Sequence, residues 1–158
     1  MLWGVSGCGK STVGALLGET LGWRFFDADD FHPQANIDKM RAGIALTDAD
    51  RAPWLAILAD EMQQLSAQGE NAILACSALK QAYRDRLEQD SGQVTFVHLA
   101  GSFEMIAARL RNRSHEFMND SLLTSQFATL EVNEGGVTID IGDSLSEIVA
   151  KIRAELGI

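Results

Sequence analysis

The sequence predicts an α/β fold in which helices cover both faces of a parallel sheet. Short apolar runs of strand length alternate with amphipathic segments of helix length, and a glycine-rich turn precedes the first helix. Parallel neighbours need long crossover connections, which helices usually supply, so this alternation favours a parallel sheet. At 158 residues and 46% hydrophobic content, the chain can bury one sizeable core. We therefore expect one three-layer domain, residues 1–158, with a five-stranded parallel sheet.

The individual helices and strands are predicted from periodicity and run length. Helical spacing of apolar residues begins near Ser11 and returns after Ser144, where Glu147 completes the Ser-x-x-Glu pattern of a helix start. Four short apolar runs have the length and composition of buried strands. The strand predictions cover residues 23–26, 72–76, 94–99 and 137–141, and the helix predictions between them cover 54–68, 80–89, 102–112 and 121–131.

Two regions depart from simple alternation. Only three residues precede Gly4, whereas a strand usually has about five, so the first strand is expected to be short. After the second strand, the stretch from about 28 to 70 holds two consecutive helix candidates, and we interpret it as a substrate-binding insertion. Because ligands of open parallel sheets bind beyond the carboxyl ends of the strands, the loops that follow the strands should hold the site.

The glycine-rich turn matches the phosphate-binding pattern G-x-x-x-x-G-K-[ST]. Its glycines let the backbone wrap an anion, and its N–H groups face the phosphates together with the start of the next helix. Lys10 would reach the β- and γ-phosphates of ATP, and the Ser11 hydroxyl would bind Mg²⁺. The nucleotide-binding candidates are Gly4, Ser6, Gly7, Cys8, Gly9, Lys10, Ser11 and Thr12.

Two carboxylates follow the second strand beside this phosphate loop. The strand leads straight into Asp27 and Asp29, which point to the same side if the extended geometry continues. Mg²⁺ and an attacking hydroxyl would lie there, so we assign Asp29 as the base or orienter of the hydroxyl and Asp27 as a metal contact through water. An acidic turn that merely ends a strand is the alternative. The chain contains no N-K-x-D or D-x-x-G string, which disfavours a GTPase switch.

Arginines cluster at the end of the helix predicted over 102–112. Phosphoryl transfer depends on positioning and charge stabilisation, so a mobile arginine that arrives after ATP would complete the site and exclude water. We predict a lid over about 109–135 with Arg109 and Arg113 as catalytic cations, which share a helix face if the helix continues. The alternative for each arginine is a solvated cation near a helix carboxyl end.

A second pair of cations follows the third strand. Lys80 and Arg84 are four residues apart on a predicted helix, so both could hold a carboxylate at the ligand-binding edge, or they could only solvate the helix. His32 and His115 lie on the acidic and lid loops, where they could form hydrogen bonds with substrate. His98 falls within a predicted strand, and we interpret it as a core residue with its hydrogen bonds satisfied.

The composition disfavours several kinds of partner. Lys and Arg total 13 against 22 Asp and Glu, and the net charge of −9 opposes general binding to nucleic acid or to an anionic membrane surface. Cys8 and Cys76 form no disulfide or metal-binding pattern, which fits a reducing cytoplasm. The first residues show no signal-peptide pattern, and no apolar run approaches the roughly 18 residues that a membrane span needs.

Taken together, these strings resemble the small bacterial-type gluconate kinases over nearly the whole chain. The phosphate loop is common to many families, whereas the other four segments in this order are highly specific. The matching segments are Gly4-Val5-Ser6-Gly7 to Ser11, Phe31-His32-Pro33 with Asn36 to Met40, Asp48-Ala49-Asp50-Arg51 with Pro53-Trp54-Leu55, Cys76-Ser77-Ala78-Leu79-Lys80 with Tyr83-Arg84, and Ser125-Gln126-Phe127 with Thr129-Leu130-Glu131.

The resemblance implies a reaction, a fold and a set of substrate contacts. It implies transfer of phosphate from ATP to D-gluconate with Mg²⁺, giving 6-phospho-D-gluconate, in a dimer whose fold is akin to shikimate and adenylate kinases. The substrate-binding candidates under this resemblance are Asp29, His32, Arg51, Lys80 and Arg84. The chain is a few residues shorter than the family pattern after Glu131, so the lid is where the resemblance is weakest.

Two other readings of the sequence remain open. A shikimate-type kinase is the nearest alternative, but that family has a glycine-rich turn where this chain has the segment 76–80. A nucleotide-binding module without catalysis is the second, and the short first strand motivates it. The presence of Lys10, Ser11, Asp27 and Asp29 argues against the module.

Overall fold

The computed structural model describes the backbone of residues 1–91, 93–113, 120–132 and 136–158, and the side chains of 1–89, 93–111, 122–132 and 136–158. None of the helices in these ranges is long and apolar enough to cross a membrane. The elements in chain order are β1 (Leu2–Trp3), α1 (Lys10–Leu21), β2 (Arg24–Asp27), a 3-10 helix (Ala28–Phe31), α2 (Gln34–Arg41), α3 (Asp48–Ala67), β3 (Ala72–Cys76), α4 (Gln81–Ser91), β4 (Val97–Ala100), α5 (Phe103–Arg113), α6 (Asp120–Thr129), β5 (Val137–Asp140) and α7 (Leu145–Leu156).

The five strands form one parallel sheet in the order β2-β3-β1-β4-β5. This arrangement confirms the predicted α/β fold with a five-stranded parallel sheet. The first strand is short, as predicted, with two residues at the centre of the sheet. It is held from both sides, because Leu2 pairs with Ala75 of β3 and with Val97 of β4.

Alternate side chains of the strands build a separate core on each face of the sheet. Leu2 belongs to the core beneath α1, α5, α6 and α7, where Ile106, Leu123 and Ile152 are almost fully buried. Trp3 belongs to the core beneath α3 and α4. Two helical layers therefore enclose the sheet, and its carboxyl-terminal edge stays open for a ligand.

Helix α1 packs closely on β2 next to the phosphate loop. A Cβ atom at Gly14 would lie 2.3 Å from the ring of Phe25, so only glycine fits at this position without displacing the ring. The close packing fixes the orientation of the helix whose amino end faces the site.

Two predicted element boundaries were wrong for physical reasons. Helix α3 begins at Asp48, six residues before the predicted start, because Thr47 and Asp50 form a capping box there. Strand β4 begins at Val97 instead of residue 94, because its central neighbour β1 begins only at Leu2, which is the partner of Val97. The predicted capping box of Ser144 and Glu147 at the start of α7 is confirmed.

Candidate active site

The glycine-rich loop follows β1 at the carboxyl edge of the sheet and ends where α1 begins. Gly4, Gly7 and Gly9 have φ angles of 141°, 82° and 99°, a region that residues with a side chain rarely adopt. A Cβ atom at Gly7 would lie 2.8 Å from the side chain of Leu110, so α5 closely covers this part of the loop. The loop therefore presents backbone atoms, with α1 behind them, to an anion.

A cavity of about 160 Å³ opens at this loop and gathers most of the candidates of the phosphate loop and of β2. Gly4 lies at the base of the loop, where its N–H group donates to the Ser77 carbonyl at 3.2 Å. The Cys8 side chain is fully buried, so only its backbone can face a ligand. The cavity is lined by Ser6, Gly7, Gly9, Lys10, Ser11, Thr12, Asp27, Asp29, Ala75, Cys76 and Ser77.

A larger cavity of about 390 Å³ lies at the opposite, amino-terminal edge of the sheet. Its lining is largely apolar and includes Met1, Trp23 and Leu156, and it contains none of the candidate site residues. The smaller cavity is therefore the candidate active site, because the groups able to bind phosphate and transfer protons converge there.

Neither cysteine has the properties of a nucleophile. Burial raises the pKa of the Cys76 thiol to about 12 and also raises the pKa of the Cys8 thiol. Both are free thiols in the interior. Their role is packing beneath the loops.

Lys10, Ser11 and Asp27 lie together at the mouth of the loop. The Lys10 ammonium donates to the carbonyls of Gly4 and Val5, both at 3.0 Å. The Ser11 hydroxyl donates to Oδ2 of Asp27 at 2.5 Å. A hydroxyl and a carboxylate in direct contact beside a phosphate loop are the oxygen donors that suit Mg²⁺.

Asp29 lies next to Asp27 but in a different environment. Its backbone N–H donates to Oδ1 of Asp27 at 3.2 Å, which fixes the turn that carries both carboxylates. Burial, then the charge of Asp27, raises the pKa of the Asp29 carboxyl above its usual range. Because its side chain is 81% exposed to the cleft, water still screens this carboxylate. A substrate that displaces this water would strengthen the upward shift.

His32 lies directly behind Asp29. Its Nε2 atom is 3.9 Å from Oδ1 of Asp29, and its ring stacks on Trp54 at 4.4 Å between centroids. The side chain is 6% exposed, and burial lowers the pKa of the imidazole. At 3.9 Å the imidazole and the carboxylate are not hydrogen-bonded, and a small approach of the Asp29 side chain would let a neutral imidazole donate to it.

Asn36 and Trp54 hold this group in place, and sequence reasoning gave neither of them a role. The Trp54 indole donates to the Ala28 carbonyl at 2.7 Å, which ties α3 to the turn that carries Asp29. The Asn36 amide lies 3.3 Å from Nδ1 of His32 and donates to the Asp50 carbonyl at 2.9 Å. Both residues lie in the strings that resemble gluconate kinases, which was the available signal.

A further group of charged residues joins the start of α3 to the segment after β3, outside the lining of the phosphate-loop cavity. Lys80 donates to both carboxylate oxygens of Asp48, at 2.9 and 2.8 Å, and the Tyr83 hydroxyl donates to the same carboxylate. These hydrogen bonds, led by the one from Lys80, lower the pKa of Asp48. Arg51 donates to the Leu46 carbonyl at 2.5 Å. Sequence reasoning missed Asp48, which is the acidic partner of Lys80 here.

Arg84 does not pair with Lys80 at the ligand-binding edge, and the structure corrects this prediction. Its side chain is buried at 2% exposure, and its guanidinium stacks 3.9 Å from the centroid of the Trp3 ring. Helix α4 begins after Lys80, at Gln81. The guanidinium donates to four protein acceptors, which are the carbonyls of Ala78, Leu79 and Glu131 and the side chain of Gln81.

The lid candidates are only partly covered by the described residues. Arg109 lies on α5 and donates to the Ile141 carbonyl at 2.5 Å, and its charge reaches Cys8 beneath the phosphate loop. The side chains of Arg113 and His115 lie outside the described residues. Of the two predicted lid cations, Arg109 is therefore the one whose side chain the structure describes, and it lies on the helix that covers the phosphate loop.

His98 is a core residue, as expected, but its hydrogen bonds are not satisfied. The ring stacks on Trp3 at 4.3 Å and is 5% exposed. Its Nδ1 atom is buried with no hydrogen-bond partner among the described residues. Burial, then the charge of Arg84, lowers the pKa of the imidazole, so the neutral form is favoured.

The parallel sheet, the phosphate loop and the hydroxyl–carboxylate pair beside it define a P-loop kinase that uses a nucleotide. A family model described as shikimate kinase matches residues 6–134. The chain is 43% identical to a probable gluconokinase from Rattus norvegicus, over 99% of this chain and 96% of that protein. It is 50% identical to a gluconokinase from Gluconobacter oxydans, over 82% of this chain and 72% of that protein. The chain belongs to the gluconokinases, within the wider shikimate kinase family.

Solved structures support the same placement. A gluconokinase from Sinorhizobium meliloti has a TM-score of 0.88 and 42% identity, over 99% of this chain and 89% of that one. A shikimate kinase from Aquifex aeolicus has a TM-score of 0.56 and 18% identity, over 99% of this chain and 94% of that one, which shows the shared fold alone. The gluconokinases are therefore much nearer relatives than this shikimate kinase.

Proposed function

We propose that this protein transfers the γ-phosphoryl group of ATP to the 6-hydroxyl of D-gluconate, giving 6-phospho-D-gluconate and ADP. One observation carries the proposal: the Asp29 carboxylate lies in the same cavity as the phosphate loop and next to the Ser11–Asp27 pair. The relatives named gluconokinase support the choice of acceptor.

The phosphate loop would hold the nucleotide. The backbone N–H groups at the start of α1 would face the anion, and Lys10 would leave its two loop carbonyls for the β- and γ-phosphates. Ser11 and Asp27 would hold Mg²⁺, which in such sites neutralises charge on the phosphate oxygens. The donor set fits this ion, because Mg²⁺ usually takes only one or two protein oxygens and completes its shell with phosphate and water.

Asp29 would act on the acceptor hydroxyl. The hydroxyl oxygen forms a bond to the γ-phosphorus, the bond from that phosphorus to the β–γ bridging oxygen breaks, and the hydroxyl proton passes to the Asp29 carboxylate. The raised pKa makes Asp29 a better proton acceptor than an ordinary aspartate. His32 would fix the direction of the carboxylate from behind.

Lys80 and Arg51 would bind the carboxylate end of the substrate. The same two cations already act on a carboxylate, because Lys80 binds Asp48 and the charge of Arg51 also stabilises the ionised form of Asp48. A substrate carboxylate would compete with Asp48 for Lys80. Arg84 would support this loop from the interior without touching substrate.

The arginines of the lid would cover the transferred group. Arg109 lies on the helix that packs over Gly7, so a small rotation of its side chain away from the Ile141 carbonyl would bring its charge towards the phosphates. Arg113 is proposed as the second cation of this lid, over residues 109–135. The substrate insertion over residues 28–70 and the lid would then close on the acceptor from opposite sides.

The test is ADP release with Mg·ATP against D-gluconate, shikimate and a control without acceptor. Gluconate-dependent release with phosphorus NMR that places the new phosphate on O6 is expected. Shikimate-dependent release would instead favour the kinase named by the family model. Nucleotide binding with no transfer to either acid would favour a binding module without catalysis.

The proposal includes a homodimer in the cytoplasm, both taken from the resemblance to gluconate kinases. Sedimentation equilibrium at micromolar concentration should give twice the 17.2 kDa of one chain. Fractionation of cells that express the protein would test the compartment.

A further inference from the structure

Gln126 of α6 contacts the phosphate loop directly. The backbone N–H of Ser6 donates to Oε1 of Gln126 at 2.6 Å, in a half-buried contact between residues 120 positions apart. Gln126 has no place in the chemistry described above, and it is neither charged nor able to transfer a proton. Its contact nevertheless reaches the part of the loop that lines the nucleotide cavity.

Helix α6 is firmly anchored on both sides of Gln126. Leu123, one turn earlier, is 1% exposed in the core, and Phe127 packs against Phe103 with ring centroids 5.6 Å apart. Just after the helix, the Glu131 N–H donates to the Leu79 carbonyl at 2.9 Å. The Gln126 side chain is therefore presented to the loop from a fixed support.

The shape of the loop depends on contacts with the rest of the protein, such as the hydrogen bond from the Gly4 N–H to the Ser77 carbonyl and the packing of Leu110 on Gly7. Its glycines at positions 4, 7 and 9 have positive φ angles and lack side chains that would limit other conformations. Lys10 occupies the Gly4 and Val5 carbonyls in this structure and would leave them for phosphate. The hydrogen bond that the Ser6 N–H donates to Gln126 would then remain, together with the one from the Gly4 N–H to the Ser77 carbonyl, as a constraint on the first half of the loop.

We propose that Gln126 is a positioning residue that couples α6 to the nucleotide-binding shape of the phosphate loop. Nucleotide binding is expected to favour the loop shape that Gln126 holds. Because coupling free energies are reciprocal, the Gln126 contact then strengthens nucleotide binding by the same factor by which bound nucleotide strengthens the contact. A neutral hydrogen bond of this kind corresponds to about a twofold to tenfold change in affinity. The inference rests on the nucleotide binding in the proposed function but not on the choice of acceptor.

The test is Gln126→Met, which keeps the side-chain length and removes the acceptor. Calorimetric titration with Mg·ADP should give a dissociation constant about twofold to tenfold higher, with a melting temperature close to that of the unmodified protein. In turnover assays the KM for ATP should rise, whereas the KM for gluconate should not. Ser125→Ala, at an exposed neighbouring position of α6, is the control and should change none of these values.

Hydrogen exchange provides a second measurement. If Gln126 only stabilised the fold, its substitution would not change the effect of nucleotide on exchange in α6. Mg·ADP should slow exchange in α6 of the unmodified protein, and Gln126→Met should lose this protection. Gln126→Glu retains an oxygen acceptor of the same reach, so it should retain the protection.

The inference is overturned if Gln126→Met binds Mg·ADP normally, whatever its melting temperature, or if nucleotide protects α6 equally in both proteins. Because Mg·ADP binding is measured without an acceptor, the binding result can be interpreted even if the gluconate assay shows no activity. Normal gluconate turnover and unchanged ADP affinity in Gln126→Met would reject the role of Gln126 and would leave the proposed function intact.

Discussion

Asp27 and Asp29 are two residues apart, and their surroundings give them different chemistry. Asp27 accepts hydrogen bonds from the Ser11 hydroxyl and the Asp29 backbone, so its carboxylate is held beside the phosphate loop, where a cation would bind. Asp29 faces the cleft, where partial desolvation and the charge of Asp27 raise its pKa. The two neighbouring carboxylates are thereby suited to different roles, one to a cation and the other to the acceptor hydroxyl.

At the residue scale, Lys10→Ala and Asp29→Asn should each lower kcat by at least about a hundredfold. Lys10 would lose the charge that meets the phosphates, and Asp29 would lose its ability to accept the proton. The measurement is steady-state turnover with saturating Mg·ATP and gluconate. Because a base must be deprotonated to accept a proton, the activity of the unmodified protein should fall as the pH drops through the raised pKa of Asp29.

Asp30→Asn is the matched control for Asp29, because Asp30 is the next carboxylate in the same 3-10 helix and is exposed. It should keep turnover close to normal. Near-normal turnover of Asp29→Asn would instead remove Asp29 from the role of base.

Lys80 and Arg84 should respond to substitution in opposite ways. Lys80→Met should raise the KM for gluconate about tenfold with little change in kcat, because a carboxylate contact binds ground and transition states alike. Arg84→Met would leave buried carbonyl acceptors unpaired and the Trp3 ring uncovered. It should lower the free energy of unfolding by about 2–4 kcal/mol. Steady-state kinetics and urea unfolding of both variants separate the two effects.

Each variant of this pair is the control for the other. An unchanged KM for gluconate in Lys80→Met would contradict the substrate contact. Normal stability of Arg84→Met would show that the buried guanidinium is dispensable.

At the element scale, the capping box of α3 fixes where the substrate insertion meets the site. Thr47 Oγ1 accepts from the Asp50 N–H, and the Asp50 carboxylate accepts from the Thr47 N–H and from Lys39 of α2. The first turn of α3 carries Asp48, the partner of Lys80. The cap thus positions the candidate substrate cations as well as the helix.

The hydrogen bond from Lys39, followed by those from Thr47, lowers the pKa of Asp50 to about 2 from an ordinary value of 3.8. A lowered folded-state pKa adds stability that is complete above the unfolded pKa and is lost as pH falls through the folded pKa. The excess stability of unmodified protein over Asp50→Asn should therefore be full above about pH 4 and should vanish towards about pH 2.

Melting temperatures of both proteins across this range check the expectation. Asp38→Asn, which removes an exposed carboxylate from α2, serves as the control for the loss of one negative charge from this region. A difference between unmodified protein and Asp50→Asn that does not change with pH would contradict the ion pair.

Local patterns predicted the elements better than their ends. The Ser144 capping box located α7 because the motif and the apolar period agree at that position. The start of α3 was missed because Thr47 is followed by a polar first turn and by Pro53, which hide the helical period. The start of β4 was missed because strand ends depend on the length of a neighbour, and no pattern within residues 94–97 shows that length.

At the scale of the whole molecule, the protein must bind anionic ligands although its own net charge is −9. The described site meets this requirement with local cations at the carboxyl edge of the sheet, together with the N–H groups of the phosphate loop. Binding at such a site should add to folding stability, because only the folded chain assembles it.

Mg·ADP at about 100 times its dissociation constant should stabilise the fold by about 2.7 kcal/mol. For a chain of this length, the melting temperature should rise by about 5–10 °C. Differential scanning calorimetry measures the shift, and Lys10→Ala should remove most of it. An equal shift in Lys10→Ala would place the nucleotide elsewhere than the phosphate loop.

The amino-acid sequence was enough to predict the α/β class, the phosphate loop, the acidic turn with Asp27 and Asp29, and the resemblance to gluconate kinases. These features are encoded in short contiguous strings, so periodicity and spacing reveal them. The folded structure was needed to show that Arg84 is buried against Trp3, that Lys80 pairs with Asp48, and that Gln126 reaches the phosphate loop. Each of these contacts joins segments distant in the chain or depends on burial, and the strings that contain the residues do not specify such packing.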